Sequence, residues 1–86
     1  MTSSSNVLLA VKSLNENPAL FNAIMQILYS NEFCSEEVVT VLIDKINSLK
    51  SEQNGKLIFN YLYEQKDLLS ESNWDLIKNV KRKNGW

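Results

Sequence analysis

A weak internal repeat constrains the fold of this chain more than any other feature. A Leu-Tyr pair occurs at Leu28-Tyr29 and again 34 residues later at Leu62-Tyr63. A Ser-Glu pair follows each of them, at Ser35-Glu36 and, 35 residues later, at Ser70-Glu71. Each copy has the pattern of a helix that ends, a short polar connection and a second helix that begins at a serine N-cap. The repeat therefore predicts two antiparallel helical hairpins.

Composition agrees with an all-α domain. The chain has 86 residues but only two Gly and one Pro, whereas β-folds of this size need more turn residues. Its hydrophobic fraction of 44% is ordinary for a folded domain and argues against disorder. We predict a single compact bundle of about five helices over residues 1–86. Residues 1–5 would be a mobile lead-in, a leading helix would follow, and the two hairpins would occupy the repeats 18–50 and 55–85.

Capping residues predict where the helices begin. Ser5 is placed to cap a first helix over residues 6–15. Asn17-Pro18 combines an N-cap with Pro at the first helical position, where its missing N–H costs nothing. Ser35 and Ser70 are expected to cap the third and fifth helices.

Two glycines mark the predicted limits of the second hairpin. Residues 51–55 interrupt the apolar pattern, and we interpret them as a hinge before a fourth helix over residues 55–66. The predicted inner face of that helix consists of Leu57, Ile58, Tyr61 and Leu62. Gly85 is expected as the C′ residue of the fifth helix, with Trp86 folding back on the last turn in a Schellman motif.

The third helix is predicted to be the buried centre of the bundle. Val39, Leu42, Ile46 and Leu49 recur at helical spacing, and three further apolar residues widen the stripe beyond half of the helix circumference. A helix that is apolar on most sides is normally enclosed by its neighbours. We therefore expect Leu42 and Ile46 to be core positions.

The residues that most catalytic and metal sites require are absent or isolated. The chain has no His, the usual general base at neutral pH and the commonest zinc ligand. Its single Cys, Cys34, precedes the Ser35 cap and is expected to pack against Val39 as a slowly reacting hydrophobic staple. Gly55 is isolated, so the sequence has no glycine-rich phosphate loop. We predict a protein that is not an enzyme and has no catalytic residues, cofactor or bound metal.

Two groups of residues are candidates for binding. Phe59 and Tyr63 are four residues apart on a second side of the fourth helix, and a surface aromatic pair of this kind is a candidate protein contact. The alternative explanation is that the bundle covers this side as well. The second group is a basic run with an aromatic residue beyond it, which resembles a phosphate-gripping and base-stacking set. It consists of Lys78, Lys81, Arg82, Lys83 and Trp86.

The basic run also has a structural explanation, because cations in the last turn of a helix stabilise its dipole. We therefore predict a small protein-binding regulator, adaptor or inhibitor, with nucleic-acid binding through the fifth helix as the alternative. The partner would be another protein, and a chain this short also favours homo-oligomer formation. Without a signal-peptide pattern or a membrane-length apolar run, a cytoplasmic or nuclear location is expected.

Overall fold

The structure, a computed structural model, describes residues 4–30 and 35–86, with side chains from residue 6 onward. It contains five α-helices and no strand in this part of the chain, which confirms the predicted all-α bundle. A single turn of 3-10 helix, Lys66–Leu68, connects the last two helices. The helices are α1 Ser4–Lys12, α2 Pro18–Tyr29, α3 Glu36–Ser48, α4 Glu52–Glu64 and α5 Glu71–Asn84.

The chain is as compact as a globular domain of its length. Its radius of gyration is 11.9 Å, and the scaling law for folded domains gives about 12 Å for a chain of this size. In the described residues, no helix is both long and apolar enough to cross a bilayer.

The predicted N-caps of α2, α3 and α5 are confirmed. The side chain of Asn17 accepts a hydrogen bond from the backbone N–H of Leu20, and Ser35 and Ser70 each accept one from the third residue after them. Each bond satisfies an N–H that has no partner within the helix itself. The three helices therefore begin where local sequence chemistry alone would place them.

The first helix differs from the prediction at both ends. Ser5 lies inside α1 instead of capping it, and the helix ends at Lys12. The chain then turns through Ser13 so that Leu14, only 1% exposed, still enters the core. The predicted mobile lead-in over 1–5 falls partly on Met1–Ser3, and the predicted staple residue Cys34 falls in 31–34. Both segments lie outside the described residues.

The central position predicted for α3 is confirmed. This helix packs against α1, α4 and α5. Val38, Val39 and Leu42 on it are no more than 1% exposed, and Ile46 is also buried. Because α3 contributes side chains to contacts with three neighbours, it needs the wide apolar surface that its sequence provides.

The predicted hinge before α4 is wrong. Ser51 is an N-cap whose hydroxyl accepts a hydrogen bond from Asn54 N–H, so the helix begins at Glu52. Gly55 is a buried residue inside this helix. The amide N–H of Ser51 also donates to a carboxylate oxygen of Glu16 at 2.6 Å, which ties the α1–α2 connection to the start of α4. The first turn of α4 was missed because its exposed face carries no apolar periodicity.

The buried face of α4 is rotated from the predicted one. Ile58, Tyr61 and Leu62 are buried as expected, but Leu57 is 43% exposed and Phe59 is only 5% exposed. Phe59 is covered because the ring of Trp86 packs on it, at 5.2 Å between ring centroids. The residues that follow α5 thus shield the side of α4 that the sequence pattern left open.

Candidate functional site

The two predicted binding groups meet on one surface of the molecule. Trp74, Lys78, Lys81 and Arg82 follow the i, i+4, i+7, i+8 spacing and therefore share one face of α5. Tyr63 of α4 faces this stripe, and Trp86 closes its far end. Together these six side chains line a cleft of about 500 Å³, which we call the basic aromatic cleft.

A continuous row of aromatic rings forms the apolar part of the cleft. The centroid of Tyr63 lies 5.4 Å from that of Trp74 and 5.7 Å from that of Phe59. Phe59 in turn contacts Trp86, as described above. These separations are in the range in which aromatic pairs attract each other beyond simple burial.

The two residues of the predicted surface pair, Phe59 and Tyr63, differ in exposure. Tyr63 is 37% exposed and reaches the cleft, whereas Phe59 is buried beneath the rings. The expectation that both rings lie at the surface is wrong for Phe59, because α5 and Trp86 cover that side of α4. Phe59 packs against the rings of Tyr63 and Trp86. Its replacement would therefore lower the stability of the fold through lost packing.

Two lysine ammonium groups also lie beside the ring of Tyr63. The ammonium nitrogen of Lys81 lies 5.4 Å from the centroid of this ring, and that of Lys66 lies 5.7 Å from it. Both distances fit cation–π attraction, in which an ammonium group is drawn to the negative face of a ring. Lys66 comes from the 3-10 turn after α4, so three separate elements contribute to this one cluster.

Little negative charge balances these cations. Lys78 forms an ion pair of 3.2 Å with Asp75, one turn earlier on α5, and both side chains are at least half exposed. Lys81 and Arg82 have no ion-pair partner among the described residues. The cleft therefore presents net positive charge at the edge of an aromatic floor.

The residues of the predicted basic run line two different clefts. Lys83 points to a second, smaller cleft of about 370 Å³ on the other side of Trp86. Its neighbours there include Lys50, Glu52 and Ile46. A residue adjacent to Arg82 lies on a different helix side, about 100° away, so the separation follows from helix geometry.

Trp86 is held by the capping motif that the sequence predicts. Gly85 adopts a left-handed conformation with φ of 70°, and the N–H of Trp86 donates to the carbonyl of Lys81 at 3.0 Å. This six-to-one hydrogen bond defines the Schellman motif. The indole N–H donates to a carboxylate oxygen of Glu52 at 3.5 Å, and the ring lies against Gly55. Trp86 is thus both a structural cap and one wall of the cleft.

Two members of the cluster were not predicted as site residues. Trp74 was expected only on the inner face of α5, but it is partly exposed and lines the cleft. Its spacing of four residues from Lys78 is a signal that could have placed it there. Lys66 gave no such signal, because its position depends on the 3-10 turn that follows α4.

A second exposed tyrosine lies elsewhere. Tyr29, at the end of α2, makes an edge-to-face contact with Tyr61 of α4, with 5.1 Å between the ring centroids. Burial raises the pKa of the Tyr29 phenol, and the negative charge of Glu64 raises it further. Both cation–π contacts of the described residues are on Tyr63, which distinguishes the cleft from this second aromatic pair.

The described residues bring no group of three His, Cys, Asp or Glu side chains close enough to hold a metal ion. The chain matches no protein-family model, no curated protein and no solved structure. What can be inferred about activity therefore comes from the geometry of the basic aromatic cleft.

Proposed function

We propose that this protein is a small non-enzymatic binding module, acting as a regulator, adaptor or inhibitor, and that it binds another protein through the basic aromatic cleft. The observation that supports this most directly is the position of Tyr63 among two rings and two ammonium groups. Tyr, Trp and Arg are enriched among the few residues that dominate binding energy at protein interfaces, and the cleft contains all three types. A cytoplasmic or nuclear location is part of this proposal.

Nucleic-acid binding is the alternative, and the same cleft argues against it. A base-stacking site needs an open ring face. The ring of Tyr63 already contacts Phe59, Trp74 and two lysines. The ring of Trp86 rests on Phe59 and against Gly55. Trp74 leaves one partly exposed ring in the cleft, and three cations on one helix face form a small electrostatic footprint for a duplex.

Affinity capture from the source cell, with and without nuclease, tests the proposal. We expect a protein partner to be recovered in both conditions and to be lost when Tyr63→Ala is used as bait. Leu57→Ala is the matched control, since Leu57 lies on the same helix with a similar exposure of 43% but outside the cleft. Recovery of additional copies of this chain would identify a homo-oligomer as the complex.

Two results would contradict the proposal. If nuclease abolishes capture, the ligand is a nucleic acid and the alternative is correct. If Leu57→Ala reduces capture as strongly as Tyr63→Ala, binding does not take place in the cleft. Circular dichroism of both variants must show wild-type helical content, so that a loss of capture reports binding.

A further inference from the structure

We infer that the segment bound in the basic aromatic cleft is acidic, with carboxylates about one helical turn apart beside an apolar side chain. This inference rests on the proposed function, because it names the chemistry of the partner at that same site. Three observations support it: the charge of the cleft, the spacing of its cations and the aromatic rings beside them.

The charge of the cleft selects a negative ligand. Lys81 and Arg82 lack ion-pair partners among the described residues, and Lys78 has only the exposed and therefore weak pair with Asp75. None of the side chains that line the cleft is acidic. A ligand carboxylate can displace Asp75 from Lys78 and can occupy two N–H groups of the Arg82 guanidinium at once.

The spacing of the cations fixes the spacing of the carboxylates. Lys78 and Arg82 are four residues apart on α5, which separates them by about 6 Å along the helix axis. Carboxylates at i and i+4 of a helical partner segment have the same separation, as do alternate residues of an extended one. Either backbone can therefore present two acids to the two ends of the stripe.

The aromatic floor adds an apolar requirement. Tyr63 lies beside Lys81, Trp74 lies one turn before Lys78 on α5, and both rings are partly exposed. When the ammonium group of Lys81 moves toward a carboxylate, its methylene chain can remain in contact with the Tyr63 ring. A Leu or Phe side chain between the two ligand carboxylates would then be enclosed by ring carbon and lysine methylene groups.

The chain carries its own probe for this test. It has two Trp residues, Trp74 and Trp86, and both line the cleft. Tryptophan fluorescence can therefore be titrated with a short peptide of Glu residues and regularly spaced Leu, which does not fluoresce itself. A peptide of the same length with Gln in place of Glu is the matched ligand control, and a single-stranded oligonucleotide is the third probe.

We expect saturable binding of the Glu peptide that weakens as salt screens the charges. Arg82→Gln should reduce the affinity roughly tenfold through loss of charged hydrogen bonds. Lys83→Gln should leave the affinity unchanged. This control removes the same charge from the same helix, one residue away but outside the cleft.

Three outcomes would overturn the inference. Equal binding of the Gln and Glu peptides, or of neither, would show that carboxylates are not recognised, while the capture experiment would still decide the proposed function. An equal effect of Lys83→Gln and Arg82→Gln would show attraction to the general charge of α5. Tighter binding of the oligonucleotide than of the Glu peptide, together with nuclease-sensitive capture, would overturn both the inference and the proposed function.

Discussion

Two glycines lie next to Trp86, and their roles are physically different. Gly85 has a φ of 70°, a conformation that L-residues with a side chain adopt only at a cost. Gly55 is an ordinary helical residue inside α4. A methyl group built there would lie 3.6 Å from Trp86 and 3.8 Å from Ile46, which is normal van der Waals contact. The first glycine is thus required by the backbone, whereas the second only reduces the helix propensity of α4.

Alanine at these two positions should therefore change stability in opposite directions. Gly55→Ala should increase the free energy of unfolding by about 0.5–1 kcal/mol, because Ala is the better helix former and its methyl group fits. Gly85→Ala should decrease it by about 1 kcal/mol through strain at the left-handed position. Urea denaturation of both variants measures the two effects. A destabilised Gly55→Ala protein would mean that Trp86 packs against α4 more tightly than described.

At the scale of elements, α3 organises the bundle. Leu42 is fully buried and Ile46 is 7% exposed, on a helix in contact with three others. Leu42→Ala and Ile46→Ala should each lower the free energy of unfolding by about 2–5 kcal/mol, through lost burial and the cavity left behind. Leu57→Ala, a change of the same kind at an exposed position of α4, should stay within about 0.5 kcal/mol of wild type. Thermal melts that fail to separate the core variants from this control would contradict the central role of α3.

The elements that could be predicted from the sequence are those specified by local chemistry. Serine and asparagine caps fix the starts of α2, α3 and α5, and Gly85 fixes the end of α5. The wide apolar stripe of α3 predicts that this helix is buried. The start of α4 was missed because Ser51 precedes a fully polar turn, and Gly55 resembles a helix breaker until its packing against Trp86 is known. The internal repeat stays a prediction, since nothing observed tests it.

Most residues of the cleft were predictable from the sequence, but their assembly into one surface was not. Tyr63, Lys78, Lys81, Arg82 and Trp86 were all identified from the sequence, though in two competing groups. That they form one surface depends on how α5 packs against α4, and that Phe59 is buried depends on where Trp86 folds back. Both are long-range consequences of packing. The exclusion of Lys83 follows from helix periodicity and could have been recognised beforehand.

At the scale of the whole molecule, charge is unevenly distributed along the chain. Residues 1–50 carry a net charge of −2 and residues 51–86 a net charge of +1. The cleft lies entirely in the positive half, on α4 and α5, which both pack against α3. Its cations are exposed near the end of α5, where each contributes at most about 1 kcal/mol to stability. The cations of the cleft can therefore be replaced without loss of the fold.

The central claim is that the aromatic and basic groups form one binding surface, and a double-mutant cycle between Tyr63 and Lys81 tests it most directly. The affinity for the captured partner is measured for wild type, Tyr63→Leu, Lys81→Gln and the double variant. Because the Lys81 ammonium lies 5.4 Å from the centre of the Tyr63 ring, the two residues should contact the same part of the ligand, and we predict a coupling energy of at least about 0.5 kcal/mol, of either sign. Effects that add to within about 0.3 kcal/mol would mean that the two residues bind independently, and the single surface described here would be wrong.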